Sequence, residues 1–288
     1  MEYQFADDLV AIRQILGLTQ SELSEQLGIE QESISRLEKN NAVPSNQLLE
    51  SVYTYAFDHK IQLNRIKEML WKERLKENHK LLFHGAKNDI NGIVQVNVGR
   101  INNDFGQGFY TGEKYEQAIS FISGYKNSSA YYFGFDNQNL KCKEYHVDQE
   151  WMLTIAYYRG ALEKYSNSSL LKELISNSRK CDYIIAPIAD NRMFSIINSF
   201  IRGEITDEQC KHCLAVTNLG NQYVFINDLA VSKLQMVEKV YLCEKEKQYY
   251  QEMRSNDAKL REDKVMLARI EYRGKGKYID EILDKNGE

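Results

Sequence analysis

The sequence predicts a small all-α bundle followed by a larger α+β domain. Three observations predict this. Residues 5–57 read as short helices separated by turn signals. From Leu81 onward the texture changes to short runs of aromatic and β-branched residues, the composition of strands. Between the two the charge reverses: residues 1–59 carry ten acidic and three basic side chains, residues 60–80 three acidic and seven basic. The resulting boundaries are a bundle over 1–59, a basic linker helix over 60–80, an α+β domain over 81–240 and a charged, helical extension over 241–288.

The bulk numbers agree with two domains. A chain of 288 residues with 43% hydrophobic content can bury two cores. No stretch reaches the eighteen or so apolar residues of a membrane helix. The opening MEYQFADDLV is acidic, unlike a secretion signal. A cytoplasmic protein without a membrane partner is therefore expected. The five cysteines are odd in number and late in the chain, which argues against a disulfide framework. Cys210 and Cys213 form a lone C-x-x-C, and no second ligand pair at zinc spacing accompanies it. They read as ordinary thiols, and no metal is expected.

In the bundle, Leu9, Ile12 and Leu16 space out one helix face, and Gly17 ends that helix. Thr19 with Glu22 three residues on is a capping box for the next helix. Leu23 and Leu27 point inward, Gly28 makes a sharp turn, and Ile34 and Leu37 line a helix from Gln31 to Lys39. Residues 60–80 space Ile61, Leu63, Ile66, Met69, Leu70 and Leu75 as an amphipathic helix. Two short helices joined by a glycine turn are a helix-turn-helix.

Arg13, Gly17-Leu18-Thr19-Gln20, Leu23, Leu27-Gly28-Ile29, Ile34-Ser35-Arg36-Leu37-Glu38 and Pro44 resemble the Xre, or lambda-repressor-like, family. In that family the second helix of the motif enters the major groove. The resemblance implies that Gln31, Glu32, Ser33 and Arg36 face DNA and that Gln20 meets a phosphate. Repressor-like domains commonly pair, so a homodimer is among the expected partners. The domain is net acidic, whereas DNA affinity rests on neutralising phosphates. A dimerisation or partner-docking module is thus the other reading.

In the second domain the runs LLFH, GFYTG, AYYFGF, YIIAPI and QYVFI predict strands, with helices over 114–123, 150–164, 168–178, 191–202 and 206–214. The closing GKGKYIDEILDKNGE is expected to be mobile. Phe83-His84-Gly85, Asp104 to Tyr110, Ile185 to Asp190 and Asn221 to Phe225 occur in an order that resembles the ADP-ribosyltransferase superfamily. More narrowly they resemble its His–Tyr–Glu branch and an uncharacterised bacterial family within it. The resemblance implies split antiparallel sheets with helices, and NAD as the substrate. It implies that His84 binds the adenosine-side ribose, that Gly85 offers backbone to the carboxamide, that Tyr110 stacks on the nicotinamide, and that Phe121 is a second aromatic wall. Thr111 and Asp190 are counted with the NAD-binding residues, and Gln222, Tyr110 and His84 with the catalytic ones.

The third position of that branch is normally glutamate and here is Gln222. An amide can hold a ribose hydroxyl but cannot act as a general base. Three outcomes are open: transfer of a single ADP-ribose with Gln222, a carboxylate supplied by Asp190, Asp104 or Glu113, or NAD binding without turnover. The expectation is a mono-ADP-ribosyltransferase of toxin or phage-defence type, targeted or regulated by a DNA-binding helix-turn-helix domain and acting on a macromolecular acceptor. The rivals are a transcriptional regulator that senses a nucleotide, and an interaction protein whose two domains both dock partners.

Overall fold

The computed structural model describes residues 2–217 and 219–283. In chain order the helices and strands are α1 (Phe5–Ile15), α2 (Gln20–Leu27), α3 (Gln31–Glu38), α4 (Asn46–Asp58), α5 (Leu63–Arg74), β1 (His79–Ala86), β2 (Phe109–Gly112), α6 (Tyr115–Ile122), β3 (Ser129–Asp136), β4 (Cys142–Glu144), α7 (Gln149–Tyr158), α8 (Ser169–Ser178), β5 (Tyr183–Pro187), α9 (Asn191–Ile201), α10 (Asp207–Ala215), β6 (Asn221–Phe225), α11 (Asp228–Val231), β7 (Leu234–Val240), α12 (Glu244–Glu271) and α13 (Ile279–Ile282). They form two compact units. One comprises residues 1–91, 118–135 and 235–253, the other 92–117, 136–234 and 254–288.

The first unit contains the helical bundle together with β1, β3 and β7, in that order across a sheet. Local sequence dictates the bundle closely. Thr19 and Glu22 close a reciprocal capping box at the start of α2, and Gly28 ends it with φ +67°, a left-handed turn that glycine adopts without strain. Leu9, Ile12, Leu23, Ile34 and Leu37 are all buried, so the inward faces fall where periodicity puts them. Cys243, from the start of the C-terminal extension, completes this core, and Tyr241 stacks on Tyr53 at 5.1 Å between ring centroids. The amphipathic segment 60–80 is shorter as a helix than its pattern suggests. α5 stops at Arg74 and β1 begins at His79, because the backbone turns extended at Leu75. Nor are its charges all solvated: Lys67 and Glu68 are buried.

The second unit has strands ordered β4-β5-β6-β2. β5 pairs antiparallel with β6, and β6 with β2, whereas β4 and β5 are parallel. The sheet is therefore mixed, a correction to the expectation of antiparallel sheets. The reason is the connection from β4 to β5, which carries α7 and α8 and so returns the chain in the same direction. Trp151, Met152 and Ile155 of α7 pack with Ile184 of β5 and with Met193, Ile197, Phe200 and Ile201 of α9. Those α9 residues follow the i, i+4, i+7, i+8 spacing of one buried helix face. Cys210 and Cys213 lie in the same core, each thiol donating to a backbone carbonyl, of Ile196 and Val265 respectively. The tail is better anchored than its composition suggests. Ile279 and Leu283 are buried, and the Tyr165 hydroxyl donates to Asp280 at 2.5 Å. Residues 284–288 lie outside the described residues. Among the described residues no helix is long and apolar enough to cross a membrane.

Candidate functional site

The first candidate surface is the outward face of α3. With Ile34 and Leu37 turned inward, helical spacing places Gln31, Glu32, Ser33, Arg36 and Lys39 outward, and all five are exposed. Arg36 pairs with Glu32 at 2.6 Å, one turn away, so its charge stands beside a carboxylate of the same helix. Gln20 sits at the start of α2, half-buried, and donates to Glu38 at 2.7 Å while accepting a long bond of 3.4 Å from Gln31. Arg13 clamps the same Glu38 with two hydrogen bonds, at 2.6 and 3.1 Å. Burial alone would raise the Glu38 carboxyl, but the bonds from Arg13 and Gln20 hold it below the usual carboxylate range. Gln20 and Gln31, on neighbouring helices, are thus joined by a hydrogen bond, and Arg36 lies five residues beyond Gln31 on the exposed side of α3. Its cations, Arg36 and Lys39, are offset by Glu32.

The same unit holds a buried ionic cluster that ties the bundle to β7. Lys67 bonds to Asp8 at 2.6 Å and to Glu238 at 2.9 Å. Tyr53 donates to Asp8, and the Trp71 indole donates to Glu238 at 2.9 Å. Burial raises the Asp8 carboxyl despite its Lys67 partner, and pushes the Tyr53 hydroxyl well up. His84 and Gly85 are half-buried on β1, and Phe121 on α6 is 50% exposed. A Cβ at Gly85 would stand 2.5 Å from the Ala118 carbonyl oxygen and 2.9 Å from a methyl of Ile122. The close approach that this glycine permits is therefore to α6.

The second unit brings together Tyr110, Thr111, Asp104, Asp190 and Gln222. β2 and β6 pair so that Gly112 opposes Gln222, Thr111 opposes Tyr223 and Tyr110 opposes Val224. Thr111 is buried, its hydroxyl 3.4 Å from the Tyr223 carbonyl. The Tyr110 hydroxyl donates to the Gly106 carbonyl at 2.7 Å and accepts from the Phe105 amide at 3.1 Å. Burial pushes its ionisation far up, so it stays a neutral phenol.

Gln222 is buried at 7% exposure, and its amide nitrogen has two acceptors: Asp104 Oδ2 at 2.8 Å and the Pro187 carbonyl at 3.2 Å. Asp104 in turn takes both the Nε (2.9 Å) and a terminal nitrogen of Arg159. That guanidinium also donates to the Ala189 carbonyl at 2.5 Å and lies 4.4 Å over the Phe194 ring. The Ala189 amide returns to Asp104 at 3.3 Å. The result is a closed knot of one carboxylate, one guanidinium and one amide, in which each partner satisfies another.

The three carboxylates singled out beside Gln222 in the sequence, Asp104, Asp190 and Glu113, all have structural employment. Asp104 is held in this knot. Asp190 caps α9, accepting from the Arg192 and Met193 amides at 3.0 and 2.9 Å. Glu113 accepts from the Asn221 backbone and side-chain nitrogens at 3.0 and 3.4 Å. Arg159 escaped the sequence reading. Its one local signal is a lone cation closing the apolar run TIAYYRG.

The fold and these sites define a helix-turn-helix domain and an α+β domain, and the comparisons with known proteins agree on the first. Residues 9–52 match the family described as Helix-turn-helix. Residues 81–236, more than half of the chain, match the family described as Protein of unknown function (DUF3990), and the chain belongs to that family. No curated protein and no solved structure matches it.

Proposed function

We propose that this protein is a mono-ADP-ribosyltransferase addressed to, or controlled by, DNA through α3, in the manner of a toxin or phage-defence effector. In the reaction the bond between the NAD ribose and nicotinamide breaks, and nicotinamide leaves with the electron pair. A nucleophile on a macromolecular acceptor then bonds to the ribose carbon and gives its proton to solvent. The observation that carries the reading is the β2–β6 register, which sets Tyr110-Thr111-Gly112 directly beside Gln222-Tyr223-Val224 although more than a hundred residues separate them. For DNA, the support is the exposed row Gln31, Ser33 and Arg36 on α3. A base-edge or phosphate contact by Arg36 would weaken by about 5–150-fold in Arg36→Ala.

One observation favours a second reading, a regulator that binds a nucleotide and leaves it intact. The Gln222 amide nitrogen is committed to Asp104 and Pro187, so the residue standing in for the branch's glutamate serves the fold. Labelled NAD separates the two. Wild type, His84→Ala and Tyr110→Ala are incubated with lysate and nucleic acid, and nicotinamide release and label on macromolecules are measured. Label that disappears in both variants supports the transferase. NAD binding by calorimetry with neither release nor label moves the conclusion to the sensor, and absence of binding defeats both.

A further inference from the structure

The surroundings of Gln222 dictate which way round its amide stands. A side-chain amide donates at one end and accepts at the other, and its shape is nearly the same either way. Its inner end faces Asp104 Oδ2 at 2.8 Å and the Pro187 carbonyl at 3.2 Å. The Asp104 carboxylate, paired with Arg159, and a backbone carbonyl can only accept. The nitrogen must therefore stand at that end, because turning the amide over would set oxygen against two oxygens. Oε1 is left at the other end. It takes no hydrogen bond from the described residues and is not sealed from solvent. The residues directly across from Gln222 in the sheet are Gly112 on β2 and Ala186 on β5. Neither has a side chain long enough to lie over the amide.

Arg159 holds Asp104 to this task. Its Nε, at 2.9 Å, and a terminal nitrogen both donate to Oδ1. That leaves Oδ2 for Gln222, with the Ala189 amide at 3.3 Å. The guanidinium is itself fixed by the Ala189 carbonyl and by the Phe194 ring beneath it. All of these residues belong to the second unit. Neither Arg159 nor Asp104 has to touch a ligand to decide what Gln222 offers one.

We propose that Arg159 and Asp104 are positioning residues that fix the Gln222 amide with its carbonyl oxygen outward, so that the second unit recognises NAD through a ribose hydroxyl that donates. The inference rests on NAD being the ligand, which the transferase and the sensor have in common. An outward nitrogen would prefer a ligand atom that accepts.

The test is calorimetric binding to the full-length protein of NAD, and of NAD with fluorine in place of the 2′- or the 3′-hydroxyl of its nicotinamide-side ribose. Fluorine is close to a hydroxyl in size and cannot donate. At least one fluoro analogue should bind wild type about tenfold more weakly than NAD. In Asp104→Asn the new side chain turns its oxygen to Arg159 and its nitrogen to Gln222, which draws the Gln222 oxygen inward. The ratio of the two affinities should then fall to about twofold or less. Arg159→Lys keeps the charge but not the pair of nitrogens on Oδ1, and it should lower the ratio at least about threefold, with folding checked by melting. A site that is merely loosened weakens both ligands alike and leaves the ratio where it was. A wild-type ratio near one overturns the inference, and so does a ratio that either folded variant leaves unchanged, although NAD binding would then stand. No binding of NAD to wild type overturns the inference together with the reading it rests on.

Discussion

Replacing Gln222 by glutamate would restore the residue usual at the third position of the resembled branch, yet the structure predicts that it damages the protein. The Gln222 nitrogen donates to two acceptors, Asp104 Oδ2 at 2.8 Å and the Pro187 carbonyl at 3.2 Å. An ionised carboxylate there offers only acceptors to acceptors and sets a second negative charge against Asp104. Arg159 already answers the first, and Gln222 is buried. The loss of a hydrogen bond to a charged group alone costs about 1.5–3 kcal/mol.

The protein can escape by keeping the new carboxyl protonated, so that its O–H donates to Asp104. From an ordinary glutamate value near 4.3, this costs about 4 kcal/mol at pH 7 and about 1 kcal/mol at pH 5. The sign follows. The folded-state pKa of the substituted carboxyl is raised above its unfolded value, so the stability it supplies is full at low pH and is lost as pH rises. In Gln222→Glu we therefore expect melting to fall by roughly 8–16 °C relative to wild type at pH 7, but only by roughly 2–4 °C at pH 5. Gln222→Ala loses the same hydrogen bonds without adding a charge, and its deficit should be alike at both pH values. Thermal melts followed by circular dichroism at pH 5 and 7 measure this. A Gln222→Glu deficit that is small at pH 7, or equal at the two pH values, would refute the view that the site demands a donor.

Two further predictions concern the first unit. Lys67→Met leaves Asp8 and Glu238 buried without their cation, and should cost about 3–5 kcal/mol in urea unfolding at pH 7, with partial recovery in acid, where Asp8, its carboxyl already raised by burial, takes up a proton; a loss under 1 kcal/mol would show that the cluster is not buried in solution. Gly85→Ala forces α6 and β1 apart, and should cost about 1–3 kcal/mol in the same assay, because the nearest atom is a backbone oxygen that cannot swing away.

What the sequence revealed and what it hid divide along the range of the interactions. The Thr19–Glu22 box, the Gly28 turn and the inward leucines of α1 to α3 involve residues within one or two turns of each other, so a local pattern contains them. Strands β2, β3, β5 and β6 announced themselves as aromatic runs. β7 did not, because LQMVEKV carries Glu238 and Lys239, both buried, where a half-buried strand should alternate. Their burial makes sense only with the partners in view, Lys67 for one and Asp89 for the other. The knot at Gln222 is hidden for the same reason. Asp104, Arg159 and Gln222 come from three distant segments, and no periodicity relates them. Order along the chain put Tyr110 and Gln222 in one motif set, but it could not tell that Asp104, Asp190 and Glu113 were each engaged in structural hydrogen bonds.

The first unit draws on residues 1–91, 118–135 and 235–253, and this bears on how the protein is made. A ribosome adding about 5–20 residues per second completes the helix-turn-helix segment within seconds. The partners Glu238, Tyr241 and Cys243 emerge only some 10–40 seconds later by the same rate. Until then Lys67 has Asp8 but not Glu238, and the core of the bundle lacks its last wall. A nascent chain therefore displays a helix-turn-helix bundle whose core is not yet finished, and the finishing signal is the synthesis of β7 and the residues after it. The bundle and β7 are tied to one another's arrival, so a chain cut short of Glu238 forfeits the packing of its helix-turn-helix along with the strand.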